Sequence, residues 1–254
     1  FEPNDRLDIT EYTQAAMVTT SIAMMKVLEE NGVKPDVAAG LSLGEYCALV
    51  AAGVMTADDA IRTVRERGIL MQEAVPAGVG GMSAVLGMTA DEINAVVDEI
   101  PNVQVANYNC PGQIVISGLK EAVETAAVKL KEAGARRVIP LNVSGPFHSY
   151  LLEEAGEKLG RFLENIPVSE PVIPYVANVT AAYVTKAEDV KPLLTRQVSS
   201  SVRWQQSVET MLADGVDRFI EIGPGKTLAG FIRKINREAT VINIEKFEDL
   251  EKLN

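Results

Sequence analysis

Three side chains have types and surroundings that could do chemistry: a serine between two glycines, an arginine on an apolar helical stripe, and the one histidine of the chain. The serine is Ser42, in Gly40-Leu41-Ser42-Leu43-Gly44. Small residues flanking a serine let the backbone turn sharply and hold the hydroxyl out beyond a strand end, as in a nucleophile elbow. A helix starting there would also point its amides and positive end at an anion beside Ser42. The plainer reading is a glycine-rich turn with an idle serine. A serine hydroxyl attacks slowly until a base takes its proton. His148, in Gly145-Pro146-Phe147-His148-Ser149, must supply any imidazole chemistry near neutral pH. Considered alone, it reads more simply as a surface or helix-cap histidine.

Arg67 is out of place. Ala60, Val64, Arg67 and Met71 recur at helical spacing, so a guanidinium emerges from an apolar stripe. Its planar fork suits a carboxylate held by two parallel hydrogen bonds. That carboxylate is either a protein side chain or the acid group of a substrate. Two other segments read as structural. Glu221-Ile222-Gly223-Pro224-Gly225-Lys226-Thr227-Leu228 is strand, glycine loop and helix, but lacks the phosphate-loop spacing. Asn107-Tyr108-Asn109-Cys110-Pro111-Gly112-Gln113 is a polar hairpin, from which Asn107 could face a cleft.

The elements that must position these residues follow from periodicity. Tyr12–Glu30 predicts a helix stopped at Asn31-Gly32, and the apolar run 36–40 a buried strand ending at Ser42. Leu43–Ala52 predicts a helix closed by Gly53, and Thr56-Ala57-Asp58-Asp59 caps another that lasts to Pro76. The segment from Gly78 to Leu141 reads strand, helix, strand, strand, helix, strand, the ferredoxin-like βαββαβ order, entered through a hinge at 76–81. Helices at 150–165, 204–214 and 227–236 then alternate with apolar runs at 172–176, 218–222 and 240–244. The expectation is α/β: a larger α/β-hydrolase-like part with a mainly parallel sheet, residues 1–76 and 142–254, and an inserted small domain, residues 77–141.

Composition removes several classes. With 254 residues, 47% of them hydrophobic, the chain can bury a sizeable core. A net charge of −11 repels nucleic acid phosphates. No apolar run is long enough to span a bilayer. The two cysteines, Cys47 and Cys110, form neither a metal pattern nor a disulfide framework. A cytoplasmic monomer is expected, without nucleic acid or membrane partners.

Taken in order, these segments resemble the malonyl-CoA:acyl carrier protein transacylases of bacterial fatty acid synthesis and the acyltransferase domains of polyketide synthases. The likeness runs from Glu11-Tyr12-Thr13-Gln14 through Gly44-Glu45-Tyr46 at the elbow, Arg67-Gly68, Met71-Gln72-Glu73-Ala74 and Asn109-Cys110-Pro111-Gly112-Gln113. It continues through Gly145-Pro146-Phe147-His148, Arg196-Gln197 and Glu221-Ile222-Gly223-Pro224-Gly225-Lys226. The resemblance implies that Ser42 carries the acyl group, that His148 is base and then acid, and that Arg67 pairs with the malonyl carboxylate. It further implies that Gln197 orients the histidine, that the Leu43 N–H faces the oxyanion, and that Phe147 leaves little room for an α-methyl branch. Met71 and Asn107 are expected at the substrate. Malonyl-CoA and acyl carrier protein are the implied partners, with no metal or redox cofactor.

Two departures stand out. Leu41 occupies a position where the family usually has histidine. The family's opening strand and its Gly-Gln-Gly-x-Gln loop have no counterpart in this sequence, so the second oxyanion donor is expected to be missing, a loss that typically costs ~2.7–4 kcal/mol. Either that segment belongs to another chain or this is a trimmed product. The same elbow also serves serine esterases, and a fragment that only binds the carrier is the non-enzymatic alternative. Arg136 with Arg137, or Lys226 with Arg233 and Lys234, are the candidate basic patches for an acidic carrier protein.

Overall fold

The computed structural model describes residues 5–76, 78–143 and 145–253. It is an α/β fold. Helix α1 (Thr10–Glu30) leads through β1 (Ala38–Ala39) into α2 (Gly44–Ala51) and α3 (Ala57–Glu73). The α1 and α3 helices lie close because Gly68 faces the α1 backbone, where a Cβ would stand 2.8 Å from Glu11 Cα. Thr56 starts α3 as expected, its Oγ1 accepting the Asp59 N–H at 3.1 Å. Thr89 and Glu92 complete a reciprocal capping box at the start of α4.

Residues 80–140 form β2 (Gly80–Leu86), α4 (Ala90–Val97), β3 (Val103–Cys110), β4 (Gln113–Leu119), α5 (Lys120–Glu132) and β5 (Arg137–Pro140). Their strands make one antiparallel sheet in the order β3-β4-β2-β5. Val85, Ile93, Ile116 and Leu130 fill the core between this sheet and its two helices. The hinge expected at 76–81 includes Ala77, which lies outside the described residues.

The remainder is built from α6 (Glu153–Leu163), β6 (Tyr175–Val176), β7 (Tyr183–Val184), α7 (Ala187–Gln197), α8 (Trp204–Ala213), β8 (Arg218–Ile222), α9 (Thr227–Ile235) and β9 (Thr240–Ile244). A single mainly parallel sheet is not formed among the described residues. Parallel pairing occurs twice, β1 with β6 and β8 with β9, in two separate small sheets. The β1 ladder is two residues long because Gly40 already turns into the elbow, and its partner strand starts only after Pro174, which has no N–H to give. Val172, at the start of the apolar run 172–176, is 77% exposed, and the strand there is confined to Tyr175–Val176. Helix α7 was not legible in the pattern because Pro192 sits inside it, and an interior proline removes a backbone donor.

Leu49, Val64, Leu159 and Leu194 bring α2, α3, α6 and α7 into one core. Each such leucine contributes roughly 1.5–3 kcal/mol on burial. That packing fixes the end of α7, with Gln197, against the start of α2.

Candidate active site

Ser42 ends the β1 approach to α2 with a φ of 51°, and His148 lies between β5 and the 3-10 turn Tyr150–Leu152 with a φ of 56°. Both are left-handed conformations that cost a non-glycine residue about 1–3 kcal/mol and persist only where the surroundings impose them. At Ser42 the imposing residue is Asn178, just after β6. Its Oδ1 accepts the Ser42 N–H while its Nδ2 donates to Gly40 O at 2.7 Å, closing the turn from both sides.

The two candidate groups meet. Ser42 Oγ is 2.6 Å from His148 Nε2, and His148 Nδ1 is 2.9 Å from Gln197 O. With Nδ1–H donating to that carbonyl, Nε2 is the lone-pair nitrogen and accepts the serine O–H. The histidine is thus oriented by the backbone of Gln197, whereas its side-chain amide serves other atoms. Gln197 Nε2 donates to Ser42 O at 2.8 Å and to Glu45 Oε2 at 2.7 Å.

Arg67 is 2% exposed and reaches the same point. Its Nη1 donates to Gln14 Oε1 at 2.7 Å, and its Nη2 donates to Ser42 Oγ and to Gln197 Oε1, both at 3.1 Å. Every one of these acceptors is neutral. Among the described residues no carboxylate lies within ion-pair distance of the guanidinium, and the buried Nε has no hydrogen-bond partner. A buried cation with neutral partners and an unused donor is chemically able to receive an anion from outside.

The electrostatics follow from that burial. Desolvation, then the Arg67 charge, push the His148 imidazole down to about 4, against the pull of the Gln197 and Ser200 backbone carbonyls. At neutral pH it is therefore uncharged and able to take a proton. Glu45, at the start of α2, is pushed up to about 7 by burial although Gln197, the Asn178 N–H and Arg67 all favour its ionised form. The Arg67 guanidinium is itself lowered by burial.

A cavity of about 420 Å³ opens over these groups. Ser42, Arg67 and His148 line one side, and Met71, Asn107 and Phe147, the expected substrate residues, line others. Met82 and Val115, from the face of the β3-β4-β2-β5 sheet, form a further wall on which Phe147 packs. Leu43 is present at the cavity as the residue before α2, and its N–H has no intramolecular acceptor among the described residues. The glycine loop at 223–226 is structural as expected: the Glu221 carboxylate accepts the Leu228 and Ala229 N–H groups at 2.9 Å and fills the anion position of α9. Sequence reasoning overlooked Gln14, Glu45 and Asn178 as contributors. Gln14 and Glu45 lie inside the quoted motifs, but only folding shows what their side chains touch.

Residues 2–247 match the family described as the acyl transferase domain. The malonyl CoA-acyl carrier protein transacylase of Bacillus subtilis (strain 168) is 47% identical over 97% of this chain and 79% of its own length. The crystal structure of the Clostridium perfringens malonyl CoA-acyl carrier protein transacylase superposes with a TM-score of 0.96 at 43% identity, covering 99% of this chain and 80% of the other. A malonyl-transacylase solved in complex with a type II polyketide synthase acyl-carrier protein superposes with a TM-score of 0.95 at 40% identity, covering 98% and 82%. With a serine, a histidine and a buried arginine converging on one cavity, the chain belongs to the acyl transferase domain family, alongside the malonyl CoA-acyl carrier protein transacylases.

Proposed function

We propose that this protein transfers the malonyl group of malonyl-CoA to the phosphopantetheine thiol of acyl carrier protein, through a malonyl ester on Ser42. His148 Nε2 takes the Ser42 proton as Oγ attacks the thioester carbonyl, and gives it to the departing CoA sulfur when the C–S bond breaks. In the second half the carrier thiol loses its proton to the same nitrogen, attacks the ester, and Ser42 recovers its hydrogen. No oxidant, reductant or metal enters this balance. The Leu43 N–H at the start of α2 is the oxyanion donor on this chain.

The observation that carries this reading is the buried Arg67 guanidinium, which touches Ser42 Oγ and has no carboxylate partner among the described residues. A free acid group on the acyl chain fits it, and a neutral ester leaves it unused. Bound malonate would also offset part of the Arg67 charge that depresses His148, making the imidazole a stronger base when the right acyl group is present. Phe147, Met71 and Asn107 bound the acyl group on the remaining sides.

The larger part, 1–76 and 142–254, reads as an α/β-hydrolase-like scaffold for Ser42, Arg67 and His148, and 77–141 as a ferredoxin-like insertion. Support for the second comes from the strand order β3-β4-β2-β5, in which the first and third strands of a βαββαβ unit lie at the centre. For the carrier protein, one residue from each of the two basic segments singled out in the sequence, Arg136 and Lys234, lies near the β3–β4 hairpin. Lys234 Nζ donates to Gln113 Oε1 at 3.3 Å, and Arg136 packs beside Gly87, which is bonded to Gly112. Neither cation has a carboxylate partner among the described residues, which suits an acidic protein.

The test is intact-mass measurement after mixing with malonyl-CoA. A persistent malonyl adduct that disappears in Ser42→Ala supports the reading; hydrolysis without an adduct would point to an esterase, and no reaction with retained carrier binding to a binding fragment.

A further inference from the structure

We propose that Gln104, on strand β3 of the inserted sheet, is a positioning residue for the imidazole of His148. The inference rests on the acyl-transfer reading only for what the imidazole does, since the clamp itself is visible in the fold. Gln104 Nε2 donates to His148 O at 3.2 Å and to Ser199 O at 3.4 Å, while its Oε1 accepts the Tyr150 N–H at 3.0 Å. One amide therefore holds the peptide groups after His148 and before Tyr150, and ties both to the segment just beyond Gln197.

That placement matters because each end of the imidazole's support passes through these atoms. His148 sits at a φ of 56°, a conformation the backbone leaves readily unless its neighbouring peptides are fixed. The acceptor for its Nδ1–H, Gln197 O, belongs to the stretch that continues to Ser199. The same stretch is laced to β3 by further bonds: Val202 N–H to Ala106 O at 2.8 Å, Tyr108 N–H to Val202 O at 2.9 Å, and the Ser201 hydroxyl to Val105 O. Gln104 is the point where this lacing reaches the histidine loop. Strand β3 thus sets the distance between the loop that carries the imidazole and the carbonyl that orients it.

The contacts of Gln104 are to backbone, so a glutamine here leaves no trace in a search for catalytic residue types. Gln104 does not itself line the cavity, and it reaches the site only through the main-chain oxygen of His148. Its effect on chemistry is indirect, through the angle and desolvation of the ring.

The experiment uses the single histidine of the chain, whose ring signals in an NMR titration need no assignment. The charged group nearest the ring is Arg67, with Glu45 beyond Gln197, and both are retained in every variant. In Gln104→Ala the His148 titration is expected to move up from about 4 towards the ordinary imidazole value, because a loosened loop admits water. The rate of Ser42 malonylation should fall about tenfold or more, with KM changed less than about twofold and the acid limb of the profile displaced to higher pH. Gln104→Met keeps the length of the side chain without adding a charge, but neither donates to His148 O nor accepts from the Tyr150 N–H, so it should behave like the alanine variant. Tyr150→Phe, which loses only the exposed bond to Asn102 Oδ1, serves as the packing control and should titrate as the parent does. An unchanged His148 titration in Gln104→Ala, or parent-like behaviour of Gln104→Met, overturns the assignment, as does an equal shift in Tyr150→Phe. Because the titration is independent of turnover, a parent protein that forms no Ser42 adduct would sink the transfer reading and leave the clamp still decided by the NMR result.

Discussion

Gly40 and Gly44 are in contact across the elbow: a Cβ on Gly40 would lie 2.0 Å from both the carbonyl carbon and oxygen of Gly44. A Cβ on Gly44 itself would meet nothing within 4 Å. The two glycines that flank Ser42 symmetrically in sequence therefore have opposite tolerances. Gly40→Ala is expected to destabilise the protein by about 3 kcal/mol or more, since backbone cannot yield as a flexible side chain can. Gly44→Ala, at the first position of α2, should fold normally and gain up to about 0.5–1 kcal/mol of helix propensity. Thermal denaturation of the two variants checks both directions, and a stable Gly40→Ala would remove the close-packed elbow from the account.

Arg67 lowers the His148 titration and, in the proposed mechanism, receives the malonyl carboxylate. Arg67→Ala should cut the rate of Ser42 acylation by malonyl-CoA about 10²–10³-fold, the scale of losing one partner of a buried charge pair, while acetyl-CoA loses far less. The same variant should raise the His148 pKa, seen by NMR. Equal losses for both acyl groups would take the carboxylate clamp out of the mechanism.

Glu45 gives a pH signature to stability. Its folded pKa, about 7, is above the 4.5 of an ordinary glutamate, so its stabilising contribution is present below 4.5 and lost as pH rises through 7. His148 acts in the other sense: its folded pKa is below 6.5, so its contribution is present above that value and lost as pH falls through about 4. Glu45→Gln removes only the first. In urea titrations the stability of the parent relative to Glu45→Gln should fall by about 2–3 kcal/mol between pH 5 and pH 8. A difference that does not change with pH would show that Glu45 is already ionised at pH 5.

The hairpin cations give a prediction about the second half-reaction. Charge reversal at Arg136 and Lys234 together should weaken association with acyl carrier protein about tenfold at low salt, with the deficit shrinking as salt rises. Formation of the malonyl-Ser42 adduct from malonyl-CoA should be unchanged. A salt-independent loss, or slower adduct formation, would place the carrier elsewhere.

His148→Ala should slow adduct formation about 10²–10⁴-fold without abolishing it, because Arg67 and the Leu43 N–H still favour charge on the oxygens. Stopped reactions followed by mass measurement give the ratio directly.

Local chemistry determined much of this from the sequence by itself. Turn glycines, capping threonines and helical spacing placed α1 to α5, α8, α9 and strands β8 and β9 to within a few residues, since those signals act over one or two turns of chain. Ser42, His148 and Arg67 stood out as candidates because each is an odd residue type for its neighbourhood, and the fold brings the three together. What no local signal carries is partnership at long range. Only the tertiary structure decided that Arg67 has glutamines and a serine, rather than a carboxylate, around its guanidinium. The fold alone also showed that the main-chain oxygen of Gln197 meets the imidazole, and that Asn178 and Gln104 bond to the backbone at the two positive-φ turns. The parallel pairing, too, divided into two small sheets once Gly40 and Pro174 cut the ladders short. The reason is common to all of these: hydrogen bonds to backbone and between residues far apart in the chain depend on where packing delivers an atom, and residue type says only that it can donate or accept.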